Sequence, residues 1–396
     1  MSKKKLLINI LKTIVIFALT CGFLASAGLL AGYLEMVRSK NAAVNSQITR
    51  IEELKKLYAS EDFKPFDEAS ICDFSLESAL KGGVKFNELQ TLGSHNSFKA
   101  KPRWNMYFLH PVSYKHMTYY WDTLTGQLNS GLRFFELDLR DSKNDGIVCY
   151  HTDYGDNTSN CYDFALAMEE LAMWSEANPN HLPICIYFEH RGYNFDMINK
   201  ADFTDESHLK TEEIVKEKLG DMIYTPAALL GETYDTMSQM ADDNGWPLLR
   251  DMLGKIVLLN SGVSYFNNDP ELKTQVMFPF FGLNTYSEYP QYKAFVVENE
   301  ITTAGIENLS NAYQNGEKPE IVLTEQFKSL MKSNCIVRSR VDAYPYYYPP
   351  EVKLGIESGI NFITSDYTHM EIRQSGYTID TNGKTAWLAK NRVRED

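Results

Sequence analysis

The hydrophobic pattern divides the chain at once. From Leu6 to Tyr33 apolar residues run almost unbroken, with Lys12 as the single charge. A bilayer-spanning helix needs roughly 20 apolar residues, and this run exceeds that. A secretory signal has a shorter apolar core of about 7–15 residues, although Ala25-Ser26-Ala27 supplies a cleavage site. Lys3, Lys4 and Lys5 before the run predict an inside N-terminus and an exported body, with Arg38 and Lys40 opposing that bias. Residues 1–37 therefore read as a membrane anchor or signal. The body is outside the cell on a single-pass anchor, or secreted if the segment is cleaved. Residues 38–85 read as a juxtamembrane stalk and linker, with Ile48, Ile51, Leu54 and Leu57 at helical spacing.

From residue 86 to 396 the pattern alternates. Short apolar runs predict strands at 88–93, 132–139, 146–152, 182–190, 255–260, 334–340 and 360–366, with a weaker one at 280–286. Helical periodicity lies between them, most clearly over 162–179, where Phe164, Met168, Leu171 and Trp174 share a face before an Asn-Pro stop. This alternation predicts an irregular (β/α)8 barrel of TIM type. An open doubly wound sheet is the alternative, but no glycine-rich phosphate loop supports it.

Composition adjusts this picture only slightly. The chain has 396 residues, is 44% hydrophobic and carries a net charge of −13. Such a charge argues against a nucleic-acid partner and requires a local cation for any anionic substrate. Of six cysteines, Cys21 lies in the apolar run, which leaves an odd number for the body. Cys149 and Cys161 flank one loop and read equally as a disulfide or as two free thiols.

The chemistry-bearing residues gather at predicted strand ends. His95 and Asn96 follow the first strand, and Glu136 and Asp138 close the second. His151 ends the third, Glu189 the fourth and Asp366 the last. In a barrel these ends converge on one mouth. Glu136 and Asp138, two apart, face the same side of a strand. Two carboxylates there repel unless a cation lies between them. With Glu189 and the Asn96 carbonyl they offer four oxygens, a set for one Ca²⁺, with Mg²⁺ the second choice. His95 and His151 beside such an ion suit acid–base work on a phosphate ester. His110, His116, His181, His208 and His369 read as structural, and His190 faces away from Glu189. Arg338, Arg340 and Asp366 are candidates for substrate binding. Salt bridging within the mouth is the equal alternative for the two arginines. The aromatic run Asp342–Pro350, "DAYPYYYPP", reads as a loop over the barrel end or as a rim touching lipid.

The segments "GSHNSF", "LRFFELDLR", "VCYHTD" and "ICIYFEHR", in that order, resemble the X-type catalytic barrel of phosphatidylinositol-specific phospholipase C, most nearly its bacterial calcium-dependent branch. "GWPLLRDMLGKIVLLN" and the stretch 335–367, with its Arg-x-Arg-x-Asp and Ser-Asp-Tyr elements, extend the likeness over about 86–370. The resemblance implies Asn96, Glu136, Asp138 and Glu189 as calcium ligands and His95 and His151 as catalytic histidines. It implies cleavage of phosphatidylinositol, or a related phospholipid or glycolipid, by a neighbouring hydroxyl, giving a cyclic inositol phosphate and diacylglycerol. His151 then protonates the leaving oxygen, and the base is Glu136, Glu189 or His95. Ser94 stands where the family usually has Thr, and 262–330 matches nothing assignable. Two rivals remain. A glycerophosphodiester phosphodiesterase also carries E-x-D, but its His-Arg-Gly precedes that pair, whereas here it follows at 190–192. A tethered barrel that binds headgroups without turnover is the other.

Overall fold

The computed structural model describes residues 3–101, 119–152, 156–190, 203–267, 272–299, 301–303, 308, 312, 315–317, 320–342, 349–366 and 381–389. The tyrosines of the "DAYPYYYPP" run and His110, His116 and His369 lie outside them.

Eleven strands are described: β1 Leu89–Ser94, β2 Phe134–Ser142, β3 Gly146–Cys149, β4 Ile184–His190, β5 Ile223–Tyr224, β6 Ile256–Asn260, β7 Phe278–Gly282, β8 Phe295–Val297, β9 Ile336–Asp342, β10 Phe362–Ser365 and β11 Ala386–Leu388. Eight of them, β1, β2, β4, β6, β7, β8, β9 and β10, are parallel in that circular order, and β1 meets β2 to close the barrel. The closure rests on one rung, Gly93 opposite Phe134. A Cβ on Gly93 would lie 2.6 Å from Phe134 Cβ and 2.7 Å from its carbonyl oxygen, so only glycine lets the strands approach.

The run at 146–152 is not a barrel strand. β3 folds back antiparallel on β2, with Leu139 opposite Cys149, because the connection of three residues is far too short for a parallel crossover. The eighth barrel position belongs instead to β8, inside the stretch that the sequence left unassigned. The weak run at 280–286 splits into β7 and a helix at Leu283–Glu288.

Inward positions change character along each strand. β2 turns Phe134, Glu136 and Asp138 inward, and β9 turns Ile336, Arg338 and Arg340 inward. Phe134 stacks on Phe362 at 4.7 Å and Tyr187 meets Phe280 at 4.9 Å, forming an aromatic floor. The charged layer lies above it. On the outer wall, the helix Phe164–Ala177 is capped by Asp163 and buries Phe164, Met168, Leu171 and Trp174. Beneath the barrel, buried Arg133 pairs with Glu68 and stacks on Phe66 and Trp174.

The first helix, α1 (Lys3–Tyr58), is continuous and is long and apolar enough to cross a membrane. Its residues from Ile14 to Leu34 are largely exposed, Phe23 at 73%. From Ser39 onward it lies against the barrel wall. Gln47, Ile51 and Leu54 turn inward, while Ile48 and Leu57 stay outward. Cys149 and Cys161 are both buried and unbonded.

Candidate active site

The turn after β1 is built by its serines. Ser97 Oγ accepts from the Glu136 amide at 2.8 Å and donates to the Ser94 carbonyl at 3.0 Å, and the Ser97 amide donates to the Glu136 carbonyl at 2.9 Å. Asn96 takes a left-handed conformation, φ 49°, which asparagine tolerates better than most residues. The turn thus delivers His95 and Asn96 to the first carboxylate of β2.

Glu136, Asp138 and Glu189 each present a carboxylate oxygen within 4.8 Å of the others. Asp138 and Glu189 stand in register on β2 and β4. Glu136 is pinned by Arg338 Nη2 at 2.5 Å. Burial pushes the Glu136 carboxyl up; Arg338 opposes this, while Glu189 and Asp138 add to it, leaving it at about 8. Asn96 Oδ1 is buried with no hydrogen-bond partner among the described residues, while its amide nitrogen donates to Tyr119 Oη at 2.6 Å. An orphaned carbonyl oxygen beside three crowded carboxylates is a donor set that fits a hard divalent cation.

Two histidines at this end of the barrel are each backed by an aspartate. His95 Nδ1 lies 2.6 Å from Asp366 Oδ1. A carboxylate can only accept, so Nδ1 carries the proton and Nε2 keeps its lone pair. Nε2 lies 3.8 Å from Glu136 Oε1 and 3.5 Å from Arg340 Nη1. Burial and then Arg340 depress His95 to about 3 against the pull of Asp366, so the ring is neutral at physiological pH. On the return of the β2–β3 hairpin, His151 Nδ1 lies 2.7 Å from Asp156 Oδ2. Asp156 is buried against the equally buried Lys99. Burial works to raise its pKa, but Lys99 and the His151 hydrogen bond outweigh it and hold the carboxyl below the usual range.

The residues chosen for catalysis, metal binding and substrate binding, His95, Asn96, Glu136, Asp138, His151, Glu189, Arg338, Arg340 and Asp366, all lie at this end of the barrel. Arg338 is directed onto Glu136, and Arg340 Nη2 pairs with Asp366 at 2.8 Å while keeping a quarter of its side chain exposed. Asp366 has no exposed surface and sits behind His95. His190 lies on the outer side of the wall against Phe203 and His208. Lys99, Tyr119 and Asp156 escaped sequence reasoning. Each lies in a polar connection where one lysine or acid looks like any other.

With this geometry in place, comparison identifies the family. Residues 140–390 match the family described as "Phosphoinositide phospholipase C, Ca2+-dependent", and the chain belongs to it. It is a phosphoric diester hydrolase of phospholipase C type. The matched region holds His151, Glu189, Arg338, Arg340 and Asp366, and begins just after Asp138. Among solved structures, the calcium-dependent phosphoinositol-specific phospholipase C of a Pseudomonas species, in apo form, is 16% identical with a TM-score of 0.51; the alignment covers 81% of this chain and 99% of that one. Its myo-inositol complex gives the same values. A calcium-dependent enzyme from Streptomyces antibioticus is 17% identical over 72% of this chain and 95% of that one, with a TM-score of 0.48. At 16% identity the likeness to the Pseudomonas enzyme speaks for the barrel fold alone. No curated protein matches the chain at a significant level.

Proposed function

We propose that this enzyme cleaves phosphatidylinositol, or a closely related phosphodiester lipid, through attack by the hydroxyl beside the phosphate. The observation that carries the reading is the pair of aspartate-backed histidines, His95 and His151, at the same barrel mouth as the Glu136, Asp138 and Glu189 cluster. Asn96, Glu136, Asp138 and Glu189 would hold one Ca²⁺. Such an ion would supply positive charge to the phosphate and acidify the attacking hydroxyl. The neutral His95 accepts the hydroxyl proton at Nε2 as the new O–P bond forms. His151, acting as the imidazolium whose Nδ1–H is held by Asp156, donates its Nε2 proton to the glycerol oxygen as the P–O bond breaks, and diacylglycerol leaves. Asp366 fixes the tautomer of His95, Asp156 stabilises the imidazolium of His151, and both orient their rings. Arg340, partly exposed beside His95, donates to a phosphate oxygen. The products are a cyclic inositol phosphate and diacylglycerol. Residues 1–37 anchor the enzyme in the cell membrane with its body outside.

Phosphorus NMR on phosphatidylinositol vesicles, with calcium and then with chelator, tests the reading. A cyclic inositol phosphate formed only with calcium is expected. Glycerol phosphate as product, or equal turnover in chelator, would overturn it. His151→Ala is expected to lose about 10²–10⁴-fold in rate with folding intact.

A further inference from the structure

The polar mouth and the exposed part of α1 lie at the same end of the molecule. The helix Phe164–Ala177 fixes the direction. Its cap, Asp163, follows directly on the loop carrying His151 and Asp156, and its last residue leads toward the start of β4, away from the mouth. α1 runs beside it in the same sense. Gln47 is bonded to the backbone of Asp163, Arg50 Nε to Glu170 at 2.8 Å, and Lys55 to Glu169 at 2.9 Å. Beyond the end of α1, the Phe66 amide reaches Asn178 Oδ1 at 2.6 Å.

Read backwards from Gln47, the helix therefore climbs toward the mouth and past it. Lys40 Nζ meets Asp145 Oδ1 at 2.5 Å, at the tip of the β2–β3 hairpin, which projects beyond Asp138. Val44 packs beside Val148 and Tyr162 at the level of the active-site strands. Leu34 and Leu30 are each 58% exposed. No break in the helix separates the apolar stretch from the residues that grip the barrel. Thirteen residues, Leu34 to Gln47, advance about 20 Å. Arg38, Lys101 and Lys143 are exposed around this rim, beside the acid Asp122, although the chain as a whole is acidic.

We infer that α1 is a rigid strut that holds the mouth toward the bilayer in which its apolar stretch is embedded. The partner surface is that same membrane, and the enzyme works on lipid of its own leaflet, not on a foreign or facing surface. The inference rests on the anchor proposed above.

Orientation can be read without catalysis. The full chain, carrying Cys21→Ser, is inserted into liposomes containing headgroup spin-labelled lipid. A fluorophore is attached through Lys143→Cys at the rim, or through Lys81→Cys in the helix Leu76–Gly82 that feeds the start of β1. Quenching of the Lys143 site and not of the Lys81 site is expected. Equal quenching, or the reverse, overturns the inference, as does release of the body from the vesicle by cleavage of the anchor. Turnover supplies the second arm. Phosphatidylinositol in the vesicle that carries the enzyme should be cleaved on the order of 10²-fold faster than the same lipid in separate vesicles. Equal rates also overturn it. Quenching at Lys143 without hydrolysis of phosphatidylinositol would keep the orientation and remove the substrate assignment.

Discussion

Glu136 allows the proposed metal site to be tested with no substrate present. Its carboxyl titrates near 8, against an ordinary 4.5, through burial and the repulsion of Glu189 and Asp138, which Arg338 only partly offsets. Between those limits the native state holds a proton that the unfolded chain has released. Stability of the metal-free protein therefore falls as pH rises, and the loss is complete above about pH 8. His95 acts in the opposite sense. Burial and Arg340 hold it near 3, against an ordinary 6.5, so acid destabilises the fold through it. That contribution is exhausted above about pH 6.5. The window from about pH 6.5 to 8 isolates the carboxylate. At about 1.4 kcal/mol per pH unit the metal-free protein loses about 2 kcal/mol there, roughly 3 °C in melting temperature for a body of this size. Near-ultraviolet circular dichroism melts of the full chain in detergent, with chelator, measure it. Glu136→Gln should abolish the slope, and excess calcium should flatten it and raise the whole curve. A wild-type melt that does not move across the window, or a Gln variant that falls as steeply, would refute the reasoning.

Three further outcomes follow from other contacts. Asp156→Asn removes the negative charge that faces buried Lys99 and backs His151; turnover should fall about 10²–10⁴-fold with KM little changed, and Asp156→Glu should recover part of it. Glu68→Ala strands the Arg133 guanidinium beneath the barrel; the melting curve should register about 3–5 kcal/mol of lost stability, with activity retained at low temperature. Gly93→Ala drives a methyl into the Phe134 backbone at the single closing rung; a loss of about 1–3 kcal/mol is expected, and an unchanged melt would mean that β1 and β2 separate freely.

The barrel was legible where strands are long and apolar enough to stand out. β8 was not, because three residues, Phe295–Val297, within a polar, tyrosine-rich stretch carry too little pattern to separate strand from loop. The hairpin was legible in principle. Ser142 and Gly146 are separated by three residues, and no parallel crossover fits that gap. His151 still reaches the mouth, because the return strand places Cys149 opposite Leu139, one residue past Asp138. A wrong strand assignment therefore led to the right neighbourhood by a different path. The serines of "GSHNSF" were passed over because the histidine and asparagine between them look chemically richer. Ser97 is nevertheless what bolts the turn to the Glu136 backbone.

The charged layer and its supports differ in kind. Glu136 and Asp138 declare themselves because a strand period of two turns both inward, where an apolar residue would otherwise stand. Nothing local announces that Asp366 backs His95, since 271 positions separate them. They meet because β10 returns to pair with β1, Ser94 opposite Ser365, and each contributes the residue just beyond its end. The contact is a consequence of circular closure. Once the ring is granted, the last strand must lie beside the first, and the acid ending one must face the histidine following the other. Asp156 has no such constraint. It lies on a loop past the hairpin, and it is Lys99, buried at the foot of the first turn, that holds it ionised behind His151. Strand order can therefore recover the His95 pair from sequence, while the His151 pair depends on how two loops fold over each other.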